Sequence, residues 1–331
     1  MPSRKSLIGK MVPRSRLAVR SWCCIVATLT AGIASAQTYP IKPVRIVTSE
    51  PGGSNDFAAR VVAQELSVAL GQQVIVENRP AGIIPGEIVS RAAPDGYTLL
   101  FIGSSFWVGP LMQKTPYDPV KDFAPVSLVN RAPTILVVHP SLPVNSVQEL
   151  IALAKRRPGE LDYAMGAPGG SSHLSAELFK ALTGTNIVRI PYKGNAQALN
   201  GLIGGQVQLM FAVSAAISPH VKSSRLRALA TTGAQPSALA PGLPTVESAG
   251  VPGYESETMV SVFAPARTST MIVQRLTDEI VKALARPDVK EKFFKAGVEV
   301  VGSSPDQLVA TMKNDASRFG KVIKVSGIRL E

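Results

Sequence analysis

Cysteine is nearly absent from this chain of 331 residues, and histidine is scarce. The two cysteines, Cys23 and Cys24, adjoin each other near the N-terminus, in a segment that we expect to be removed. The remaining chain would have no thiol, which excludes disulfides, cysteine nucleophiles and cysteine-based metal sites. The three histidines, at positions 139, 173 and 220, lack the spacing of metal ligands. We therefore expect neither a metal nor a cofactor.

No acidic residue precedes Glu50, whereas six lysines and arginines lie within the first 20 residues. An apolar stretch from Trp22 to Ile33 follows them, and then the small residues Ala34-Ser35-Ala36. This order is typical of a signal peptide. It predicts that residues 1–36 are cleaved off after Ala36 and that the mature protein is periplasmic. Initiation at Met11 instead of Met1 would give a signal peptide of more ordinary length.

A membrane anchor is the alternative interpretation of this segment. The uncharged stretch at 23–36 has only 14 residues, whereas a spanning helix needs about 20. Removal of the signal peptide lowers the formal charge from +12 to +6. A small positive excess on an exported protein does not indicate nucleic-acid binding, so we expect no nucleic-acid partner.

Three motifs of nucleotide-binding and hydrolytic enzymes are also missing. The chain has no G-x-x-x-x-G-K-[ST], no G-x-G-x-x-G after a predicted strand, and no G-x-S-x-G. We find no convincing pair of acid, base or nucleophile, so we expect that the protein is not an enzyme. A secreted hydrolase or isomerase is the alternative, and turnover of a bound ligand would support it.

Strands and helices alternate in two separate parts of the chain. In the first part we predict strands at 44–48, 74–76 and 97–102, with helices at 57–70 and 87–93 between them. In the second part we predict strands at 161–165, 187–190 and 207–211, with helices through Leu174–Leu182 and at 196–202. Strand-helix-strand alternation is typical of a parallel sheet. The sequence therefore predicts an α/β protein with two lobes.

The tetrapeptide Pro-Gly-Gly-Ser occurs at 51–54 and again at 168–171, each time between a predicted strand and a predicted helix. The two copies are 117 residues apart, and each following helix has a glycine at its end, Gly71 and Gly184. This repetition predicts two lobes of similar structure. Apolar runs at 134–138 and 259–263 flank the second part, and we predict that they are two strands crossing between the lobes. Lobe 1 would comprise 37–137 and 260–331, and lobe 2 would comprise 138–259.

A glycine-rich turn that opens a helix presents free backbone N–H groups and the positive end of the helix dipole, so it can bind an anion. Two such turns facing each other across a cleft would form a ligand site. The alternative is that each turn is only a tight connection with a capping serine, Asp56 caps its own helix, and Lys193 is solvated. A neutral His173 near the second turn would suit a hydrogen-bond donor better than a general base. The predicted ligand-binding residues are Ser49, Gly52, Gly53, Ser54, Asp56, Gly103, Ser104, Ser105, Gly169, Gly170, Ser171, Ser172, His173, Lys193, Gly194 and Ala212.

Several segments, in order along the chain, carry a family resemblance. The chain resembles the Bug-type (TctC-like) extracytoplasmic solute receptors of tripartite tricarboxylate transporters over nearly the whole predicted mature sequence. The segments are Tyr39–Val47, Pro51–Asp56, Val76–Pro80, Ala93–Leu100, Tyr117–Phe123, His173-Leu174, Pro191–Gly194 and Leu243–Val246. The resemblance implies a periplasmic-binding-protein-like fold of two doubly wound α/β lobes that close around a small carboxylate. It also implies that membrane permease subunits are the partners and that the receptor is a monomer. A ligand sensor that signals to another protein, or an orphan receptor with a changed ligand, is the alternative.

Three positions depart from the family pattern. Ser49 and Glu50 replace an aromatic residue and a proline before the first turn, and the loop at 81–86 is shorter than usual. Ala212 follows Met210-Phe211 where the family often has an aspartate. The missing carboxylate argues against an ammonium group on the ligand, so we expect a non-amino carboxylic acid. Glu50 would argue the other way if its side chain pointed into the pocket. Phe106 and Trp107 would favour an aromatic one if they line the pocket.

Overall fold

The first α/β unit has the predicted order and pairing. The protein is described by a computed structural model for residues 39–80, 82–166 and 169–329, so the predicted signal peptide lies outside the described residues. The unit consists of β1 (Val44–Thr48), α1 (Ser54–Leu70), β2 (Val74–Asn78), α2 (Ile84–Ser90) and β3 (Thr98–Gly103). β1 pairs in parallel with both β2 and β3. Gly71 ends α1 with a φ of 64°, a conformation that glycine adopts without strain.

One long strand connects the two lobes. A short helix, α3 (Ser105–Val108), follows β3, and then comes the strand β4 (Phe123–Val138) of 16 residues. β4 is followed by α4 (Val147–Arg156), which begins at the capping side chain of Ser146. The first predicted crossing, at 134–138, is the second half of β4.

The second α/β unit repeats the arrangement of the first. It consists of β5 (Asp162–Met165), α5 (Ser171–Thr183), β6 (Val188–Pro191), α6 (Asn195–Ile203) and β7 (Leu209–Val213). β5 pairs in parallel with β6 and β7. Gly184 ends α5 with a φ of 64°, like Gly71 in the first unit.

The remaining elements complete both lobes. They are α7 (Ser214–Lys222), β8 (Arg227–Thr231), β9 (Glu257–Pro265), α8 (Thr270–Ala285), α9 (Pro287–Lys295), β10 (Glu299–Val300) and α10 (Pro305–Ser326). α10 begins after Ser304, which forms a capping box with Gln307. Among the described residues, no helix combines the length and the apolar character needed to cross a bilayer.

β4 belongs to both sheets. Its first half pairs antiparallel with β9 and with β10, and its second half pairs antiparallel with β7 and with β8. β9, which contains the second predicted crossing, also pairs antiparallel with β3 and begins opposite Pro133 of β4. The fold is thus a two-lobed α/β architecture in which each parallel unit is extended by antiparallel strands.

Aromatic side chains fill the core of the first lobe. Phe106 lies 4.8 Å from Phe123 and 5.0 Å from Phe263, measured between ring centroids, and it stacks on Tyr117. Trp107 is 3% exposed, and its Nε1 donates to Asp315 Oδ2 at 3.1 Å. Both rings pack against β9 and α10, so the structure favours the core and not the pocket for Phe106 and Trp107. An aromatic ligand has no support from these two residues.

Two glycine substitutions with opposite effects test the described backbone. Gly184→Ala places a Cβ on a residue with a φ of 64°, although nothing lies within 4 Å of it, so we expect a loss of about 1 kcal/mol from backbone strain. Gly320→Ala lies inside α10, with only Leu111 Cδ1 at 4.0 Å, and should gain about 1 kcal/mol from helix propensity. Thermal unfolding should show a melting temperature about 2 °C lower for the first and about 2 °C higher for the second. Equal shifts of the same sign would contradict the assigned conformations.

Candidate ligand-binding site

The strand register directs the carboxyl ends of both parallel units toward the same part of β4. In the first lobe, Gly103 at the end of β3 is opposite Val260 of β9, which is opposite Asn130 of β4. In the second lobe, Val213 at the end of β7 is opposite Thr134. Four residues of a strand span about 13 Å. The glycine-rich turns that follow β1 and β5 therefore approach the segment 130–134, which we call the crossing segment, from opposite directions. Ligands of open α/β sheets bind at such carboxyl ends.

The first glycine-rich turn is closed by Asp56. Gly52 has a φ of 81°, and its N–H donates to Asp56 Oδ2 at 2.9 Å. Asn78, at the end of β2, donates to the other oxygen of Asp56 at 2.8 Å, and Arg60 forms an ion pair with it at 2.9 Å. Gly53 is the N-cap residue of α1 and provides no side-chain cap. The N–H groups of the first turn of α1 are thus left for another acceptor.

The charge of Asp56 is balanced inside its own lobe. Burial acts to raise the pKa of this carboxyl, but the hydrogen bonds from Arg60, the Gly52 N–H and Asn78 outweigh burial and lower it. Asp56 is therefore ionised at neutral pH, and Arg60 offsets its charge. The structure places Asp56 where it holds the shape of the turn.

The second turn has the same geometry but a different closing residue. Gly169 has a φ of 71°, and its N–H donates to His173 Nδ1 at 3.0 Å. The N-cap residues Gly53 and Gly170 have φ and ψ of −83° and 172° in the first lobe and −71° and 168° in the second. Each closing hydrogen bond joins a glycine to the residue four positions later. This correspondence supports the predicted structural repeat.

His173 is a neutral imidazole. Burial, and then the positive charge of Arg189, lower the pKa of His173 to about 4. Its Nε2 lies 3.1 Å from Nη1 of Arg189, which is on β6. The second turn therefore carries no charge on its closing residue, in contrast to the first.

Two other predicted residues of the first lobe, Ser49 and Gly103, lie beside Asn55. The side-chain amide of Asn55 donates to Ser49 Oγ at 2.9 Å, and a Cβ on Gly103 would lie 3.4 Å from Asn55 Oδ1. The N–H of Ser104 donates to the carbonyl oxygen of Met259 at 2.8 Å, which ties the end of β3 to β9. Ser54 and Ser105 are exposed. Glu50 is also exposed.

In the second lobe, the turn lies against the start of α6. Ser172 Oγ donates to Asn195 Oδ1 at 3.3 Å and accepts from the N–H of Gly166 at 3.3 Å. A Cβ on Gly166 would lie 2.3 Å from Asn195 Oδ1 and 2.9 Å from the Asn195 nitrogen, so glycine is required for this approach. The start of α6 is preceded by Gly194 and the exposed Lys193, and Ser171 opens α5.

Ala212 is a buried residue of β7. It is 4% exposed, is opposite Ile135 in the sheet, and belongs to the core cluster with Met210. The structure therefore gives Ala212 a packing role one residue before the end of β7.

Sequence reasoning missed four polar residues at the turns: Asn55, Asn78, Arg189 and Asn195. Asn55 and Asn195 each lie at the start of a helix, and Asn78 and Arg189 lie on the strand that follows the turn helix in each lobe. Comparing the two repeats position by position would have pointed to Asn78 and Arg189. No group of three or more potential metal ligands occurs among residues 39–80, 82–166 and 169–329.

Residues 58–328 match the model of the tripartite tricarboxylate transporter family receptor, TctC. The chain belongs to this family. Protein BugT of Bordetella pertussis is 39% identical over 311 residues, which cover 91% of this chain and 95% of BugT. The family consists of periplasmic solute receptors and not of enzymes, so this family receptor is not an enzyme.

Two solved structures of similar sequence contain carboxylates. The R. palustris protein Rpa4515, with adipate, is 36% identical, has a TM-score of 0.71, and the match covers 88% of this receptor and 99% of that chain. MatC from Rhodopseudomonas palustris, with bound malate, is 27% identical, has a TM-score of 0.68, and the match covers 86% of this receptor and 100% of that chain. Both are similar in fold to this receptor over nearly their whole length.

Proposed function

We propose that this receptor binds a small non-amino dicarboxylate between its lobes and delivers it to the membrane subunits of a tripartite tricarboxylate transporter. The observation that carries the proposal is the pair of equivalent turns, closed by Asp56 and His173, that approach the crossing segment from opposite sides. Each turn offers uncapped helix N–H groups, which suit a carboxylate. The adipate and malate bound to the two R. palustris proteins support a dicarboxylate ligand.

The contacts would come from the turns and from the polar groups beside them. In lobe 1 these are Gly52, Gly53, Ser54, Ser49, Gly103, Ser104 and Ser105, and in lobe 2 they are Gly169, Gly170, Ser171, Ser172, Lys193 and Gly194. Asp56 and His173 act by fixing the turns. The protein would be exported with cleavage after Ala36 and act as a monomer. We place lobe 1 at 37–137 and 260–331 and lobe 2 at 138–259, with the ligand between them.

Binding to the mature chain, residues 37–331, tests the proposal. Isothermal titration and thermal shift should be measured with succinate, glutarate, adipate, pimelate, malate, citrate and L-glutamate. A ligand at a hundred times its Kd stabilises the folded state by about 2.7 kcal/mol, so one dicarboxylate should raise the melting temperature by several degrees. No binding by any carboxylate would contradict the proposed function.

Glutarate and L-glutamate form a matched pair, because they differ only in the ammonium group. Asp56, the carboxylate that closes the first turn, is already paired with Arg60 and accepts from the Gly52 N–H and from Asn78, so its charge is balanced and is not available to an ammonium group. We expect glutarate to bind at least about tenfold more tightly than L-glutamate, since an unpaired buried charge costs more than 1.4 kcal/mol. Tighter binding of L-glutamate would show that another group receives the ammonium, and would contradict the non-amino assignment.

A further inference from the structure

The two equivalent turns differ in charge. In lobe 1 the closing carboxylate of Asp56 is paired with Arg60 at 2.9 Å, so the pair is neutral as a whole. In lobe 2 the closing residue is the uncharged ring of His173, and the nearest cation is Arg189 at 3.1 Å. The lobe 2 turn therefore has a net positive charge that the lobe 1 turn does not have.

The contact between Arg189 and His173 does not satisfy the guanidinium. A neutral imidazole has one N–H and one acceptor nitrogen. Nδ1 accepts the N–H of Gly169 at 3.0 Å. Nη1 of Arg189 lies 3.1 Å from Nε2, and this contact uses at most one of the five N–H donors of the guanidinium. The guanidinium consequently keeps its other donors available for another acceptor.

No described carboxylate pairs with Arg189. Apart from Arg189, the charged side chains that act on His173 are Glu177 and Lys180, both on α5. Glu177 already accepts from the Tyr163 hydroxyl at 2.6 Å and from Lys180 at 2.8 Å. In the described part of the chain, Arg189 takes part in no ion pair.

The strand register places Arg189 near the proposed ligand site. Arg189 is opposite Tyr163 of β5, and both lie two residues before the carboxyl end of their strand. The carboxyl ends of β5 and β6 are where the second glycine-rich turn and the start of α6 meet. The guanidinium of Arg189 contacts His173, and His173 closes the second turn, so a single side chain separates Arg189 from that turn.

We propose that Arg189 is a specificity-determining residue that binds the second carboxylate of the ligand, while the glycine-rich turns hold the first. This inference rests on the proposed function and adds to it a preference for dianions over monoanions. A guanidinium recognises a carboxylate through two parallel N–H donors, which a single ammonium cannot reproduce. Both the positive charge of Arg189 and its two parallel N–H donors would contribute to binding the second carboxylate.

Matched ligands and matched variants test this role. The tightest-binding member of the series from succinate to pimelate is compared, by isothermal titration, with the monocarboxylate of equal chain length; adipate, for example, is compared with hexanoate. We expect Arg189→Ala to weaken binding of the dicarboxylate by about 10- to 100-fold, the effect of losing a charge-assisted hydrogen bond. Monocarboxylate binding should change by less than about threefold, and Arg189→Lys should give an intermediate loss.

Arg157→Ala is the control variant. Arg157 is an exposed arginine of the same lobe, located after α4 and before the amino end of β5. Its substitution removes the same charge at a position far from the turns. It should leave the ratio of the two affinities unchanged. An equal loss for both ligands in Arg189→Ala would show that Arg189 only positions His173, and would overturn the proposal, as would no loss at all.

The outcomes separate this inference from the proposed function. If the unmodified receptor binds carboxylates but prefers the monocarboxylate or shows no preference, the role of Arg189 is wrong and the receptor function stands. If it binds no carboxylate of either series or of the wider panel, both proposals fail.

Discussion

Glu257→Gln is expected to raise the free energy of unfolding at pH 8 by about 2 to 3 kcal/mol and to leave it unchanged near pH 4.5. The side chain of Glu257 is 5% exposed at the first position of β9, and a Cβ on Gly233 would lie 2.6 Å from its Oε1. Arg131, its ion-pair partner, is 3.8 Å away and also contacts Glu299. Burial raises the pKa of Glu257 to about 7, and the charges of Glu255, Glu299 and Asp315 add to this increase against the effect of Arg131.

The sign of the pH dependence follows from the raised pKa. Between pH 4.5 and 7 the folded protein binds a proton at Glu257 that the unfolded chain has released. The stability that Glu257 contributes is therefore complete below pH 4.5 and is lost as the pH rises through 7. Each pKa unit corresponds to about 1.36 kcal/mol. Glutamine keeps the shape of the protonated side chain and removes this loss.

Thermal unfolding at several pH values checks the prediction. The melting temperature of Glu257→Gln should exceed that of the unmodified protein by roughly 5 °C at pH 8. Glu291→Gln is the control, because Glu291 is an exposed carboxylate on α9. Asp315 and His173 titrate in an overlapping range, so the comparison is between variants and not within one curve. A difference in melting temperature between Glu257→Gln and the unmodified protein that stays the same at all pH values would contradict the prediction.

Gly166→Ala is expected to weaken binding of the preferred dicarboxylate at least about tenfold. The new Cβ would lie 2.9 Å from the backbone nitrogen of Asn195, which cannot move without shifting the start of α6. It would also displace the Asn195 side chain that accepts from Ser172. To relieve this clash, the second turn must move relative to α6, which displaces the groups proposed to bind the ligand. Overpacking of this kind also costs about 1 to 3 kcal/mol of stability.

Gly109→Ala is the control variant. It separates the effect of the clash with Asn195 from the general effect of replacing a glycine by alanine. Gly109 has only Gln113 Nε2 at 3.9 Å from the site of the added Cβ, so the protein can accept the methyl group there. Titration of both variants with the same dicarboxylate, at a temperature where both are folded, measures the difference. Unchanged affinity in Gly166→Ala would show that the junction of the second turn and α6 takes no part in binding.

The two parallel units could be predicted because the sequence patterns that specify their helices and strands lie within short segments of the chain. The apolar spacing in α1 and α5 and the glycines that end them lie within a few turns of helix, and both helices are found as predicted. β8 was not predicted, because Arg227–Thr231 is a short segment with two alanines that fits a strand or a helix equally well. α4, α7 and α9 were also missed, although Ser146 before α4 is a capping residue that could have shown its start.

Only the part of the site that the sequence repeat contains, the two glycine-rich turns, could be predicted. The two glycine-rich turns are visible in the sequence, but the hydrogen bonds that close them could be identified only from the backbone geometry. The environment of Trp107 depends on Asp315, which is 208 residues away in the sequence, so no local pattern could indicate whether the ring lines a pocket or packs in the core. Arg189 precedes the Pro191–Gly194 segment without being part of it, and its proposed role depends on the contact with His173, which the sequence does not show.

β4 has neighbours on both sides in each sheet, β9 and β10 in one and β7 and β8 in the other. A fragment without residues 123–138 would separate β7 from β8 and expose their unpaired edges, which favours aggregation. We therefore expect that neither lobe folds as an independent piece and that a single protease cut within 130–134 destabilises both. Heating should unfold the two lobes in one cooperative transition, because each of them loses its central strand when the other does.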